Sequence, residues 1–341
     1  MVPVVVLPRH PMGIRPMALS KRPWCPSLSP IVSAVFLPAL ALWTLASPAV
    51  GNATPQTDPG VEELRLETSD GIRIAAWYYP VAEGSKPIAT VILVHDIEGT
   101  HKTVERLARS LQGAGYAVVA PDLRAHGASG SRGATEPRLL KKNDLEMIAA
   151  ASGGTLRVQS TLKGEIEAVR NWIKGKSDDG VLDIDRLCVV GCGLSGTLAS
   201  MWTAADSNWP PVATGPQGRQ VRALVLISPV WATKGVSMSL PLTSDAIKQS
   251  VPVLVLAGTG DRDAIQLFDR LKRLRPRGWF EQRIGKEFEA GTEDKDPSKA
   301  TAFFIQSDTR LAGDKLANDP EMNVVEPIKT FLTLALARPK D

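Results

Sequence analysis

The amino-acid sequence predicts an α/β domain whose mostly parallel sheet is covered by helices on both faces. From Val61 onward, apolar runs alternate along the chain with segments of helical periodicity. Several of these runs, such as residues 89–94, are continuously apolar, which is typical of strands buried on both faces. Strands and helices that alternate in this way form parallel sheets with helices on either side. Because 43% of the residues are apolar, the chain can build a large core.

Eight strands are predicted, and the first two form a hairpin that makes the sheet mixed. Residues 63–68 and 72–79 alternate in hydrophobicity on either side of the turn signal Ser69-Asp70-Gly71. The six other strands are short apolar runs at residues 89–94, 117–120, 186–190, 221–227, 253–257 and 301–305.

The helices are predicted from apolar residues that recur at three- and four-residue spacing. They cover residues 103–114, the stretch from Leu162 to Ile173, and residues 197–205, 264–274 and 328–337. Residues 151–160 are polar and residues 209–220 are rich in Pro and Gly, so both are predicted to be loops. Only about twenty residues separate Pro229 from the next strand, which is too few for a lid of domain size.

The N-terminal segment has the three parts of a secretory signal peptide. Lys21 and Arg22 form a charged start, and an apolar run follows at residues 31–46. Ala49 and Gly51 then stand three residues and one residue before a cleavage point. Export to the periplasm, the cell envelope or the medium is therefore predicted.

The domain boundaries follow from this segment. Residues 1–51 are interpreted as a signal peptide, for which a start at Met17 would be more ordinary. The apolar run of 16 residues at 31–46 is a little short for a membrane span, but an uncleaved anchor stays open as the alternative. Residues 52–60 are interpreted as a linker and residues 61–341 as a single domain.

The formal net charge of +4 originates in the N-terminal segment. Residues 1–51 contain four basic residues and no acidic one, which leaves 36 basic and 36 acidic residues in the remainder. A neutral body has no field that would attract nucleic acid or anionic lipid. The basic run from Arg270 to Arg277 is interpreted as a solvated helix face, because it is local and contains no interleaved aromatic residues. We therefore expect no nucleic-acid partner, and membrane contact only through an uncleaved N-terminal segment.

Four motifs, taken in chain order, resemble those of the α/β-hydrolase superfamily. They are the strand end at 94–95, the loop 121–129, the strand-turn-helix segment 189–196 and the strand 253–261. The resemblance extends from about Val61 to the C-terminus and implies the α/β-hydrolase fold. It also implies a site in which a serine attacks, a histidine takes its proton and an acid orients the histidine, in the chain order Ser, Asp or Glu, His.

The resemblance also indicates that two of these three side chains are missing. Gly193 stands in the nucleophile position of the turn and has no side chain with which to form an acyl-enzyme. None of the four histidines lies after His126, and Ala312 stands in the place of the family's histidine. Asp261 remains at the position of the acid, where we expect it to cap the next helix.

The pocket that would stabilise an oxyanion is altered as well. Asp96 replaces the glycine of the family's His-Gly turn, and the amides of Ile97 and Leu194 are expected to point into the pocket. A carboxylate there disfavours a second negative charge. His95 and His126 follow strand ends on the same side of the sheet, where we expect them to make local hydrogen bonds that shape two loops.

Two other nucleophiles are conceivable, and both have a structural interpretation that is favoured. Ser195 would need a two-residue shift of the motif, and a small polar residue is tolerated at a tight turn. Cys192 lacks the flanking glycines of a nucleophile, and a reactive thiol needs a nearby base. Cys188 and Cys192 are expected to be buried free thiols, because a bridge between them would bend the strand.

These observations predict an exported protein of α/β-hydrolase fold that does not hydrolyse and that binds a small molecule or has a structural role. A weak esterase that uses Ser195 or Cys192 and a protein-interaction module of the cell envelope stay open as alternatives. No cofactor and no metal are expected, because no His, Asp and Glu cluster has ligand spacing. The oligomeric state is not predicted.

Overall fold

The strands of the protein were located in a computed structural model that describes residues 60–130, 164–209, 213, 218–233, 235–284 and 296–339. The chain divides into two compact units, Met1–Ala53 and Thr54–Asp341, and the described residues all belong to the second. The predictions for residues 1–59, for the loop 151–160 and for Leu162 lie outside the described residues. The strands are β1 (Glu62–Glu67), β2 (Arg73–Tyr79), β3 (Thr90–Val94), β4 (Ala117–Pro121), β5 (Leu187–Cys192), β6 (Val221–Ile227), β7 (Ala232–Thr233), β8 (Val236–Ser237), β9 (Val253–Gly258), β10 (Trp279–Ile284) and β11 (Ala302–Ser307).

One mixed sheet of nine strands carries the fold, in the order β1-β2-β4-β3-β5-β6-β9-β11-β10. The hairpin partners β1 and β2 are antiparallel, with Leu64 opposite Ala76, and β2 is also antiparallel to β4. Every other pair in this sheet is parallel. The predicted hairpin and the predicted parallel centre are thus confirmed.

The prediction of eight strands was wrong by one for this sheet, because β10 was not recognised, and the short strands β7 and β8 outside it were not predicted. Its sequence, with Glu281 and Arg283, contains charged residues that do not form an apolar run. The strand lies at the edge of the sheet and pairs only with β11, for example through Phe280 opposite Phe303. An edge strand is not enclosed on both sides, so its sequence does not need to be continuously apolar.

The helices divide between the two faces of the sheet. They are α1 (Glu105–Gly113), α2 (Glu165–Asp178), α3 (Leu194–Ser207), α4 (Arg262–Leu274), α5 (Gly313–Ala317) and α6 (Val325–Leu336). Apolar residues of α2, α3 and α4 pack with Ile92 and Val94 of β3 on one face. Those of α1, α5 and α6 pack with Val91 and Leu93 on the other face. This arrangement confirms the predicted layers.

Several elements differ from the prediction. The short helix α5 was not predicted, and α6 begins at Val325, three residues before its predicted start. Helix α3 begins at Leu194, three residues before the predicted start, because the chain turns directly from β5 into the helix. Between β6 and β9 the described residues form the short ribbon of β7 and β8 and two single turns. Among the described helices, none is long and apolar enough to cross a bilayer.

Candidate functional site

A sharp turn joins β5 to α3 at the carboxyl end of the sheet. Gly193 forms the turn with φ 54° and ψ −128°, a strained conformation that glycine adopts at low cost. Its N–H donates to the carbonyl of Ile227 at 2.8 Å, which fixes the turn against β6. A Cβ on Gly191 would lie 2.7 Å from Cα of Gly196, so glycine at 191 lets the helix pack closely on the strand. The backbone is therefore that of a strand-to-helix elbow.

The Asp96 carboxylate occupies the position at which an elbow stabilises negative charge. Its Oδ1 atom accepts hydrogen bonds from the amides of Ile97 at 2.7 Å and Leu194 at 2.9 Å. Two backbone donors at such distances from one oxygen have the geometry of an oxyanion hole. The amides of Ile97 and Leu194 point into the pocket, as the sequence predicts. The oxygen that they bind there is not a substrate's oxygen but Oδ1 of Asp96.

The same carboxylate fills the space above the turn. A Cβ on Gly193 would lie 2.0–2.1 Å from three carboxyl atoms of Asp96, a separation that real atoms do not reach. A Cβ on Gly313 would lie 2.6 Å from Oδ2 of the same residue. Asp96 and any side chain at position 193 therefore exclude each other in this arrangement.

A second acid, Asp314, holds the Asp96 segment in place. Its Oδ1 atom accepts from the backbone N–H of Asp96 at 2.7 Å, and its Oδ2 atom accepts from the hydroxyl of Thr103. The absence of a side chain at Gly99 makes room for this carboxylate, since a Cβ there would lie 2.2 Å from Oδ2. Sequence reasoning missed Asp314, although it lies two residues after Ala312 in the segment that was compared with the family's histidine loop.

The pKa values of both carboxyl groups are raised. Burial raises the pKa of Asp96 to about 6, with the hydrogen bonds from Leu194 and Ile97 acting in the opposite direction and the nearby Asp314 adding to the rise. Burial also raises the pKa of Asp314, against the hydrogen bond from Thr103. Near neutral pH the site therefore holds a carboxyl group that changes its charge over the physiological range.

The positions predicted for the base and the acid carry no catalytic pair. Ala312 precedes α5 and contributes only a methyl group beside Gly313. Asp261 follows β9 and accepts from the amide of Ala264 at 3.0 Å, so it caps α4 as predicted. Burial raises the pKa of Asp261, and the hydrogen bond from Ala264 opposes that shift.

Comparison with known proteins identifies the scaffold. The model of the alpha/beta hydrolase family matches residues 91–334, which is well over half of the chain. The chain belongs to the alpha/beta hydrolase family. Membership confirms the predicted fold class and the resemblance from which the triad positions were assigned.

The individual relatives are distant. An uncharacterized protein of Mycobacterium tuberculosis is 24% identical over 141 residues, which cover 41% of this chain and 40% of that protein. The chain thus spans well under half the length of the curated relatives that it matches.

Solved structures show the same fold at low identity. An esterase of Pyrococcus furiosus has a TM-score of 0.52 at 14% identity, covering 84% of this chain and 97% of that one. The structure of DcsB in complex with its substrate analogue has a TM-score of 0.51 at 13% identity, covering 82% and 100%. A putative dienelactone hydrolase of Klebsiella pneumoniae has a TM-score of 0.50 at 16% identity, also covering 82% and 100%.

The two histidines near this alpha/beta hydrolase elbow are both engaged in backbone hydrogen bonds. His95 accepts from the amide of Leu123 through Nε2 at 3.1 Å, so its Nδ1 carries the proton and donates to the carbonyl of Asp96 at 2.7 Å. Burial lowers the pKa of His95 to about 4, which keeps the ring neutral. The ring is therefore committed to holding two strand ends together.

His126 is held in the same manner and lies close to His95. Its Nε2 atom accepts from the amide of Glu98 at 3.2 Å, and its Nδ1 atom donates to the carbonyl of Arg124 at 2.9 Å. The ring centroids of the two histidines are 5.2 Å apart. Since both nitrogens of each ring are occupied, the expected role in shaping two loops is confirmed.

The two candidate nucleophiles are buried, and the thiol of Cys192 donates a hydrogen bond to the Asp314 carboxylate. Ser195 is fully buried in the first turn of α3, and its hydroxyl has no hydrogen-bond partner among the described residues. Cys192 is fully buried with the apolar residues that face α1 and α6. Burial, together with the carboxylates of Asp314 and Asp96, raises the pKa of the Cys192 thiol well above its usual value. Cys188 and Cys192 are free, as predicted.

Apolar side chains surround the open side of the elbow. Leu194, Leu198, Met201 and Val236 form a small cluster against which Ile97, Val230 and Leu240 pack. Val236 belongs to the β7–β8 ribbon, so this ribbon packs against the first turns of α3. In the described part of the chain, no three potential metal ligands converge on one point.

Proposed function

We propose that this alpha/beta hydrolase family member does not hydrolyse and serves as a binding or structural protein outside the cytoplasm. The observation that carries the proposal is the Asp96 carboxylate, whose Oδ1 lies 2.7 and 2.9 Å from the two amides of the elbow. That oxygen stands where a tetrahedral intermediate would place its own, so the stabilising site is already filled by a negative group.

The chemistry of acyl transfer supports this proposal. The reaction needs a nucleophile, a base and vacant donors for the developing oxyanion. Gly193 supplies no attacking atom, and His95 and His126 have no free ring nitrogen. Removal of the nucleophile or of the base costs a factor of about a million in rate. Loss of both nucleophile and base, with the donors occupied, leaves no route to turnover at the elbow.

The alternative of an unconventional esterase receives little support from the geometry. Ser195 and Cys192 are both fully buried, and the pKa of the Cys192 thiol is raised rather than lowered. A thiolate nucleophile requires the opposite shift.

Labelling and turnover assays test the inactive state. The purified chain that starts at Asn52 is incubated with a fluorophosphonate probe and with short p-nitrophenyl esters, next to Ser195→Ala and Cys192→Ala variants. We expect no covalent label and no turnover above the uncatalysed rate in any of the three proteins. Labelling or turnover in the parent that disappears in one of the variants would overturn the proposal and identify the nucleophile.

The proposed location rests on the N-terminal segment, in which Lys21 and Arg22 precede an apolar run and small residues follow it. Cell fractionation with mass determination of the recovered protein tests it. A chain that begins at Asn52 in the periplasm, envelope or medium is the expected product. Full-length protein in the cytosolic fraction would contradict export, and full-length protein in the membrane fraction would indicate an uncleaved anchor.

A further inference from the structure

A cleft of about 460 Å³ opens at the end of the sheet opposite the elbow. Its walls come from the starts of β6 and β9, the residue before β11, and the C-terminal ends of α3 and α6. This volume lies in the range of small-molecule sites in proteins. The elbow lies at the carboxyl ends of the parallel strands, so the two regions are separated by the length of the sheet.

Three arginines give the cleft a concentrated positive charge. Arg219, Arg222 and Arg338 line it, whereas the residues after position 51 are neutral in sum. Arg222 donates to the carbonyl of Arg338, and Nη2 of Arg338 donates to the carbonyls of Ser298 at 2.7 Å and Ala300 at 2.5 Å. These partners are neutral, and no carboxylate among the described residues pairs with the three guanidinium groups.

Most of the donor capacity of these side chains is unused. Each guanidinium carries five N–H donors in a planar fork that suits carboxylate and phosphate oxygens. Arg222 and Arg338 each use one nitrogen in the bonds given above, and the side chain of Arg219 makes no hydrogen bond within the described residues. The cleft therefore presents several oriented donors, and its three arginines outnumber the single carboxylate among the described lining residues.

The remaining lining does not cancel this charge. Among the described lining residues, Asp245 contributes the one carboxylate, but its side chain is 85% exposed and lies 3.5 Å from the ammonium of Lys248. The positive potential also reaches the neighbouring Arg275, whose pKa is lowered to about 10 by burial and by the charge of Arg338. Arg275 is itself held by backbone carbonyls, including those of Thr301 and Val251 at the cleft.

We propose that this cleft is a binding site for a small anion of the carboxylate or phosphate class, held by Arg219, Arg222 and Arg338. The site does not depend on what happens at the elbow. It gives the molecule a ligand position that is independent of the proposed loss of hydrolysis.

Titration calorimetry with citrate and with inorganic phosphate at constant ionic strength tests the proposal, with glycerol as the uncharged control. The parent is compared with Arg219→Gln and Arg222→Gln, and Arg273→Gln on the exposed face of α4 is the matched control. We expect binding of at least one anion to the parent and a loss of about tenfold in affinity for each cleft substitution. Arg273→Gln and the parent should bind alike, and glycerol should not bind.

The variants are chosen so that a negative result is informative. Arg219→Gln removes a side chain without internal bonds, so the fold is retained, and thermal unfolding of each variant confirms this. The proposal is overturned if neither anion binds the parent, or if affinity is unchanged in both Arg219→Gln and Arg222→Gln. Equal weakening by Arg273→Gln would also overturn it, since that result indicates a general charge effect.

Discussion

The Asp96 carboxyl group occupies the elbow, and its environment acts against its ionised form. Its carboxylate accepts from two backbone amides and at the same time lies where a nucleophile at position 193 would stand. The hydrogen bonds favour the ionised form, but burial and the nearby Asp314 favour the neutral form and raise the pKa to about 6. Asp96 thus fills the site, but its ionised form is destabilised there by burial and by the charge of Asp314.

This conflict predicts how stability depends on pH in Asp96→Asn. A carboxyl group with a raised pKa binds more protons in the folded than in the unfolded chain, so stability decreases as the pH rises from about 4 to about 6. Asparagine does not titrate and does not contribute this loss. We expect Asp96→Asn to gain about 1–3 kcal/mol relative to the parent between about pH 4 and about pH 8. Urea unfolding at each pH measures the difference.

The exposed Asp245 provides the control for this experiment. Its side chain is 85% exposed at the far end of the sheet. Asp245→Asn should follow the parent closely across the same pH range. A difference between Asp96→Asn and parent that stays constant with pH would show that ionisation of Asp96 carries no such cost.

The mutual exclusion of Asp96 and a side chain at position 193 is also measurable. Gly193→Ala should cost about 2–4 kcal/mol, because the new methyl group collides with the carboxyl group and φ is positive. In an Asp96→Gly background the collision is absent, and the cost should fall to about 1–2 kcal/mol. Gly175→Ala, where a Cβ meets nothing, should be neutral or stabilising. Additive effects at positions 193 and 96 in unfolding experiments would contradict this geometry.

At the scale of elements, a buried ion pair connects the loop after β4 to the start of α2. The Arg124 guanidinium lies 2.5 Å from Glu165 and 2.9 Å from Asp70, which belongs to the turn between β1 and β2. The side chains of Arg124 and Glu165 are 4% and 1% exposed. Three elements distant in sequence therefore meet at one cation, near the segment that carries His126.

Substitution of one partner of this ion pair should lower the free energy of unfolding more than substitution of both partners. Arg124→Met leaves the Glu165 carboxylate buried without its cation and should cost about 3–5 kcal/mol. The double variant Arg124→Met/Glu165→Met removes both charges and should recover most of this loss. Denaturant unfolding of the parent, the single variant and the double variant measures this recovery. Equal stabilities of the single and the double variant would contradict the prediction, because they would show that the unpaired Glu165 carboxylate costs nothing.

At the scale of the whole molecule, the sequence predicts the fold better than the site. Strands such as β4 and β9 are buried on both faces, so their sequences are continuously apolar and easily recognised. The strand β10 was missed because it lies at the edge of the sheet, and its charged residues interrupt the apolar pattern. Gly193 and Ala312 were placed by motif, which is a local property of the chain.

The parts of the site that could not be predicted from the sequence are contacts between residues far apart in the chain. The bond from Leu194 to Asp96 joins residues 98 positions apart, and that from Asp96 to Asp314 joins residues 218 positions apart. The sequence predicted that a carboxylate at 96 would oppose an oxyanion, but not that its own oxygen would take the oxyanion's place. The arginine cleft was also not foreseen, because Arg219 and Arg338 meet only in the folded chain.

The thiols provide a test at this scale, because both lie in the central strand β5. Cys188 and Cys192 are fully buried, and burial raises the pKa of Cys188 to about 12. In the chain that starts at Asn52, which lacks the third cysteine, Cys25, we expect no reaction with Ellman's reagent in the native state and reaction of both thiols in denaturant. Protection should be lost at the denaturant concentration at which the fold is lost. Rapid native labelling of Cys192 would contradict the described packing and would reopen its candidacy as a nucleophile.

The carboxylate between the two elbow amides has a consequence in terms of mass action. A tethered group competes for its site at an effective concentration that a dissolved compound rarely matches. A boronic acid or a ketone that mimics a tetrahedral adduct would have to displace a competitor that cannot diffuse away. Neither dilution nor dialysis removes this competitor, because Asp96 is part of the chain. The two elbow amides therefore stay bonded to its carboxylate whatever the concentration of protein.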